Sequence, residues 1–438
     1  VGSTAVQIGA ACSSGGLARV DPLKPMNRAA RQSLLAASLL GASVLVALTV
    51  SLPLGLSDYH LDAGPAVNAL SHLDLPGYLR SQALMGSFSV LLRAPFVALA
   101  GTGDQTEAYR LGLVPCVFAV ALLALALARR MAAEGRSLLI GFGVLAILVA
   151  HPLMHEAIVF GHPEELLAGA LCVAAILACS REAPVLGGVA LGLALATKQW
   201  AVVAAAIAVA ACPSRRGVVV IWAGAVAGAL TLPAILFDGG GFVATQARAA
   251  NVDSWVSMSN VWWPLANAMH RTAFDGVGPH EFVRYTLPSA LNPVPHPLIV
   301  GLGIALGALM LRARRPFCVS EALAALAFVL LLRCALDPWN APYYSVPLLI
   351  ALCAHDATAR RGLPLLSTFG ALGLWLTLLK VPSLGDPLLW NAAYLSFAVA
   401  LGAFLLTKLG GLGIVLGQPG PASLAPRAAH LPLLSAET

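Results

Sequence analysis

The stretch RLGLVPCVFAVALLALALARR, residues 110–130, decides the fold. No charge interrupts it between Arg110 and Arg129. A helix needs about 20 apolar residues to cross the hydrocarbon core of a bilayer, with roughly 17 as a minimum. Residues 110–128 therefore read as a membrane span. Arg129, Arg130 and Arg136 follow it at once, and a basic turn of this kind marks a cytoplasmic loop.

The same reading extends along the chain. Further spans are expected at 34–57, 137–153, 164–180, 217–237, 297–311, 319–336, 344–358, 363–380 and 388–407, and 183–212 holds two short helices broken at Lys198-Gln199-Trp200. Arg28 and Arg31 place the N-terminus in the cytoplasm, and Arg181, Arg215-Arg216, Arg312, Arg314, Arg315 and Arg360-Arg361 mark later cytoplasmic turns. These share one side only if residues 84–101, which contain Arg93 and Pro95, lie on or dip into the outer surface. The expectation is an all-α polytopic protein of about twelve spans, with both termini cytoplasmic and interfacial helices in the first outer loop. It divides into a cytoplasmic segment 1–32, a transmembrane domain 33–408 with outer loops 58–108 and 238–296, and a flexible cytoplasmic tail 409–438. The first apolar run is long enough to stay as an anchor, so no cleavable signal peptide is expected.

Composition agrees, with 59% hydrophobic and 11% charged residues against about 25% charged in soluble domains. The net charge of +6 belongs to loops that set orientation, and nucleic acid is not an expected partner. The eight cysteines contain no C-x-x-C pair, and no metal site is expected.

Residues not used to build the threading test it. Fourteen of the 20 acids and eight of the ten histidines fall outside. The chemistry is expected on that face.

Four constellations stand there. Ser57-Asp58-Tyr59-His60-Leu61-Asp62 follows the first span. Asp58 at this junction is either a base, sharpened by partial desolvation, or the cap of the next helix. His151-Pro-Leu-Met-His155-Glu156 precedes Gly161-His162-Pro163-Glu164-Glu165. Its spacing matches no zinc pattern, and a pocket for sugar hydroxyls suits it better. Lys198 is a rare cation in an apolar segment, beside Gln199. It is a ligand for a lipid-borne phosphate or a snorkelling side chain. The loop 238–296 holds Arg248 and Trp255, and Arg333 precedes Asp337-Pro-Trp-Asn-Ala-Pro-Tyr343-Tyr344. Arg333 reads as one half of an ion pair or as a second phosphate ligand.

Taken together, these residues resemble the GT-C superfamily of membrane glycosyltransferases, closest to glycosyltransferase family 87. That branch includes the polyprenol-phosphate-mannose-dependent mannosyltransferases of mycobacteria and their relatives. The resemblance rests on Asp58 after span one, the interfacial helices behind it, Gly161–Glu165 followed by Lys198-Gln-Trp, and the late Asp-Pro-Trp-Asn…Tyr-Tyr segment. It implies inverting transfer from a polyprenyl-phosphate-linked sugar to a lipid-linked or glycan acceptor, at the outer face of a bacterial plasma membrane. By position, Asp58 would be the general base, and no metal cofactor is implied. Lys198, with Arg93, Arg248 and Arg333 behind it, is the expected donor-phosphate ligand. His60, Asp62, His162, Glu164, Gln199, Trp255, Asp337, Tyr343 and Tyr344 are expected around sugar and acceptor. The rival is a lipid or lipid-linked-sugar flippase, which predicts inverted repeats and polar residues at the midplane. The sequence displays neither.

Overall fold

The computed structural model describes residues 41, 57–81, 86–101, 104–136, 138–250, 255–275, 278–313, 317–359 and 363–409. The expected first span, apart from Gly41 and Ser57, lies outside the described residues. So do the segment 1–32 and, beyond Leu409, the C-terminal tail.

The segment expected as the first outer loop contains α1 (Ser57–Asp62), α2 (Gly64–Ser71), α3 (Leu75–Ser81) and α4 (Ser87–Val97). The body follows with α5 (Gln105–Ala133), α6 (Leu138–Ala150), α7 (Pro152–Val159), α8 (Glu164–Cys179), α9 (Pro184–Leu195), α10 (Val202–Ala211), α11 (Arg216–Phe237) and α12 (Gly239–Ala250). After the strands β1 (Asn267–Asp275) and β2 (Gly278–Thr286) come α13 (Pro295–Arg312), α14 (Val319–Leu336), α15 (Val346–Thr358), α16 (Leu365–Trp375) and α17 (Pro387–Lys408).

Among the described residues, seven helical segments are long and apolar enough to cross a membrane: 105–133, 140–159, 216–237, 295–312, 319–336, 365–384 and 387–408. Four more expected runs form the shorter apolar helices α8, α9, α10 and α15. Their place in the bundle explains a composition that is apolar all round. Every residue of α15 is buried, and in α8 only Leu171, Ala174 and Leu177 are less than buried. By contrast α11 turns Val220, Ile221, Trp222 and Leu236 outward, as a helix facing lipid does.

Side-chain contacts tie the helix ends into two opposite faces. At one end, Arg136 donates to the Asp356 carbonyl at 2.7 Å, and Asp356 accepts from the Ser367 backbone and hydroxyl at 2.7 and 2.8 Å. There the loops between α5 and α6, and between α15 and α16, meet. The other end gathers α1, the start of α8, the break between α9 and α10, and the last turn of α14.

Two features differ from the hydropathy reading. The segment between α12 and α13 contains an antiparallel hairpin, paired from Asn267↔Thr286 to Asp275↔Gly278. It is anchored by the Val256 amide donating to the Tyr285 carbonyl at 2.8 Å. The helix expected over 84–101 is present as α4, but its Arg93 points into the protein and is fully buried. Burial is tolerated because the guanidinium lies over the rings of Tyr59 and Tyr109, at 5.2 and 5.8 Å. Its nearest carboxylate oxygen is Glu164 Oε2 at 3.7 Å.

Candidate active site

The N-terminal end of α8 organises the site. Gly161 turns the chain with φ +86°, a left-handed conformation that glycine adopts without a Cβ penalty. That turn delivers His162, Glu164 and Glu165 in succession. An anion at a helix N-terminus meets the positive end of the helix dipole, which helps hold two buried glutamates there.

His162 links two carboxylates. Its Nε2 lies 3.2 Å from Asp58 Oδ2 and its Nδ1 lies 3.0 Å from Glu164 Oε1. The ring stacks on Tyr343 with centroids 4.2 Å apart. Lys198 Nζ continues the line, 3.0 Å from Glu164 Oε1 and 3.6 Å from Glu165 Oε1. Glu165 is held further by Trp200 Nε1 at 3.1 Å and by Arg333, whose Nη2 lies 3.4 Å from Oε1 and Nη1 3.5 Å from Oε2. The Arg333 guanidinium lies over two aromatic rings, 4.6 Å from Trp200 and 4.3 Å from Tyr344.

The result is a nearly continuous chain of acidic and basic side chains from the partly exposed Asp58 to the buried Arg333. Glu164 is shared by His162, Lys198 and Arg93, and Glu165 by Lys198 and Arg333, so each buried carboxylate has more than one basic partner. The Lys198 side chain, 13% exposed, is the most accessible of the three cations, against 4% for Arg333 and none for Arg93. Burial works against a charged His162, but the hydrogen bonds to Asp58 and Glu164 outweigh it and hold its pKa above the ordinary histidine value. Burial likewise pushes the Asp62 carboxyl up, against the opposing pull of His162 and Lys198.

The residues expected from sequence separate into groups. Asp58, Asp62, His162, Glu164, Lys198, Arg93, Arg333, Tyr343 and Tyr344 come together. Gln199 turns to the side and donates to Gln246 Oε1 at 2.7 Å. His60 is exposed, its ring beside that of Tyr59. Trp255 and Asp337 belong to a neighbouring layer under the hairpin. There Trp255 meets Trp339 edge-on at 4.9 Å and Arg284 at 5.5 Å, while Asp337 Oδ2 lies 3.7 Å from His296 Nε2. Arg248 falls in α12, with its side chain outside the described residues.

Tyr59, Gly161, Glu165 and Trp200 lie in the stretches singled out by sequence without an individual role there, and the structure places them against the site's charged groups. The signal for Glu165 and Trp200 lay within the same short stretches as Glu164 and Lys198, as a second carboxylate and an indole donor. Among the described residues, no group of three His, Cys, Asp or Glu side chains is arranged to hold a metal ion.

With this geometry in hand, comparison with known proteins gives one match. No curated protein and no solved structure matches the chain. The sequence model of glycosyltransferase family 87 matches residues 84–338, more than half of the 438 residues. That segment contains Arg93, His162, Glu164, Glu165, Lys198 and Arg333, while Asp58 precedes it and Tyr343 and Tyr344 follow it. Apolar helices of spanning length, a charged cluster at one end of the bundle and this match point the same way: the chain is a membrane glycosyltransferase and belongs to glycosyltransferase family 87.

Proposed function

We propose that the chain transfers a sugar, mannose or another hexose or pentose, from a polyprenyl-phosphate-linked donor to a lipid-linked or cell-envelope glycan acceptor. The transfer inverts the anomeric carbon, uses Asp58 as general base, and takes place at the outer face of a bacterial plasma membrane. One observation carries this reading: a carboxylate and an ammonium, Asp58 and Lys198, stand at the same end of the bundle, joined through His162 and Glu164.

An inverting displacement needs a base on the acceptor hydroxyl and a stabilised leaving group. A lipid phosphate leaves already ionised, so a cation serves it without a proton donor or a metal cofactor. Lys198, the most accessible cation, is the phosphate ligand. Arg93 and Arg333 act from behind, through Glu164 and Glu165, and Arg248 is a further candidate cation. Donor and acceptor tails both remain in lipid, so the reaction needs no water-facing catalytic domain.

The test is transfer from radiolabelled polyprenyl-phosphate sugars in membranes, comparing the wild type with Asp58→Ala. A loss of about 10²–10⁴-fold is expected for a missing general base. Undiminished transfer would remove Asp58 from that role. Movement of the lipid-linked sugar across the bilayer without covalent transfer would favour the flippase.

A further inference from the structure

His162 has a carboxylate oxygen on each side of its ring, which fixes its protonation chemistry. Glu164 is fully buried at the start of α8, with Lys198 Nζ at 3.0 Å and Arg93 Nη1 at 3.7 Å. Two cations and the helix N-terminus keep it ionised, so it only accepts hydrogen bonds and Nδ1 must carry the hydrogen between them. The Nε2 of a neutral ring then presents a lone pair to Asp58 Oδ2 at 3.2 Å. An ionised Asp58 and a neutral His162 therefore repel across that contact. One added proton turns the repulsion into a charge-assisted hydrogen bond.

We infer that His162 is the proton store behind Asp58: the hydrogen taken from the acceptor hydroxyl passes through Asp58 to Nε2 of His162, whose imidazolium is held by Glu164. This rests on the reading of Asp58 as the base. In the step, the acceptor O–H bond breaks as its oxygen bonds to the anomeric carbon. The bond from that carbon to the phosphate oxygen breaks and its electron pair leaves on the phosphate. The proton reaches the Asp58–His162 pair and is lost to water before the next turnover. His162 acts through Asp58 and is a positioning residue rather than a group that touches substrate.

The groups facing the imidazole are known from each neighbouring element. Asp58 and Asp62 come from α1, Glu164 from α8, Lys198 from the break between α9 and α10, and Tyr343 from the turn before α15. Three carboxylates against one ammonium favour the protonated ring, in line with its raised pKa. The pair must be deprotonated to accept the hydrogen, so activity rises as pH rises through the pair's titration. That acid limb should lie above about 6.5, the ordinary histidine value.

The experiment is the pH profile of kcat/KM for transfer in the full-length wild type, in His162→Gln and in Asp58→Asn. Glutamine keeps a hydrogen-bonding side chain and removes the titration. The expected result is a His162→Gln limb at least about one pH unit lower, with a rate at pH 8 reduced roughly 10–100-fold and Asp58→Asn inactive. A slower His162→Gln enzyme with an unmoved limb would show a structural role only and overturn the proposal. An active Asp58→Asn would instead overturn the base reading beneath it. Should His162→Gln fail to fold, single-turnover rates of the wild type in H2O–D2O mixtures decide: two protons in flight give a bowed dependence, and a straight line overturns the relay.

Discussion

Gly161 and Tyr59 pack backbone against backbone: a Cβ on Gly161 would stand 2.9 Å from the Tyr59 nitrogen. Gly161 also holds φ at +86°. This contact sets how far Asp58, the residue before Tyr59, lies from His162, the residue after Gly161.

Gly161→Ala is therefore expected to damage catalysis more than folding. The left-handed backbone would cost an alanine about 1–3 kcal/mol, a cost the surrounding packing can absorb. Displacing α1 by about 1 Å can reduce turnover on the order of 100-fold. Transfer rates and thermal unfolding in detergent should show this split. A variant with wild-type turnover would mean that the contact does not position Asp58.

Arg333→Lys should not behave as a conservative change. A lysine can reproduce neither the two-pronged approach to Glu165 nor the planar contact with Trp200 and Tyr344. A loss of about 2 kcal/mol is expected, the size of a desolvated cation–π contact. It would be read as a lower unfolding midpoint. An unchanged midpoint would place the binding energy of this corner elsewhere.

Asp62→Asn tests the electrostatics around α1 by pH. Burial raises the folded-state pKa of Asp62, so the folded protein binds its proton more tightly than the unfolded chain does. Stability then falls as pH rises from about 3.9, the unfolded value, through the raised folded value, and the deficit persists above it. The asparagine variant escapes that penalty. It should be the more stable protein at neutral pH, with the difference closing towards pH 4. Equal stability at both pH values would contradict a buried, reluctant carboxylate.

Much of this organisation was legible in the sequence because lipid imposes a simple rule on length and polarity. The boundaries of α8, α11, α14 and α17 follow their apolar runs closely, and Asp58, His162, Glu164 and Lys198 stood out as polar groups at span ends. What the sequence hid was direction. Arg93 reads as a surface cation because a one-dimensional pattern does not reveal that two tyrosines 50 residues apart will form a box around it. The hairpin escaped because a search for long apolar runs is blind to period-two strands. The Gly276-Val277 pair that joins Asp275 to Gly278, a glycine followed by any residue between two mixed runs, is its available signal. Two neighbouring glutamates look redundant in sequence, yet Glu164 faces His162 and Lys198 while Glu165 faces Lys198, Trp200 and Arg333.

The segment that leads into α4 is joined to the Lys198 turn by main-chain hydrogen bonds. Gly86 and Phe88, at the start of α4, donate their amides to the carbonyls of Thr197 and Ala196, at 3.0 and 2.9 Å. Bonds of this kind are indifferent to side-chain identity except at Gly86, where a Cβ would run into the Ala196 carbonyl. The loop that carries Asp58 is thus mounted on a standard fitting. Related loops that keep a glycine at this position could be exchanged as cassettes while leaving the register of Lys198 intact.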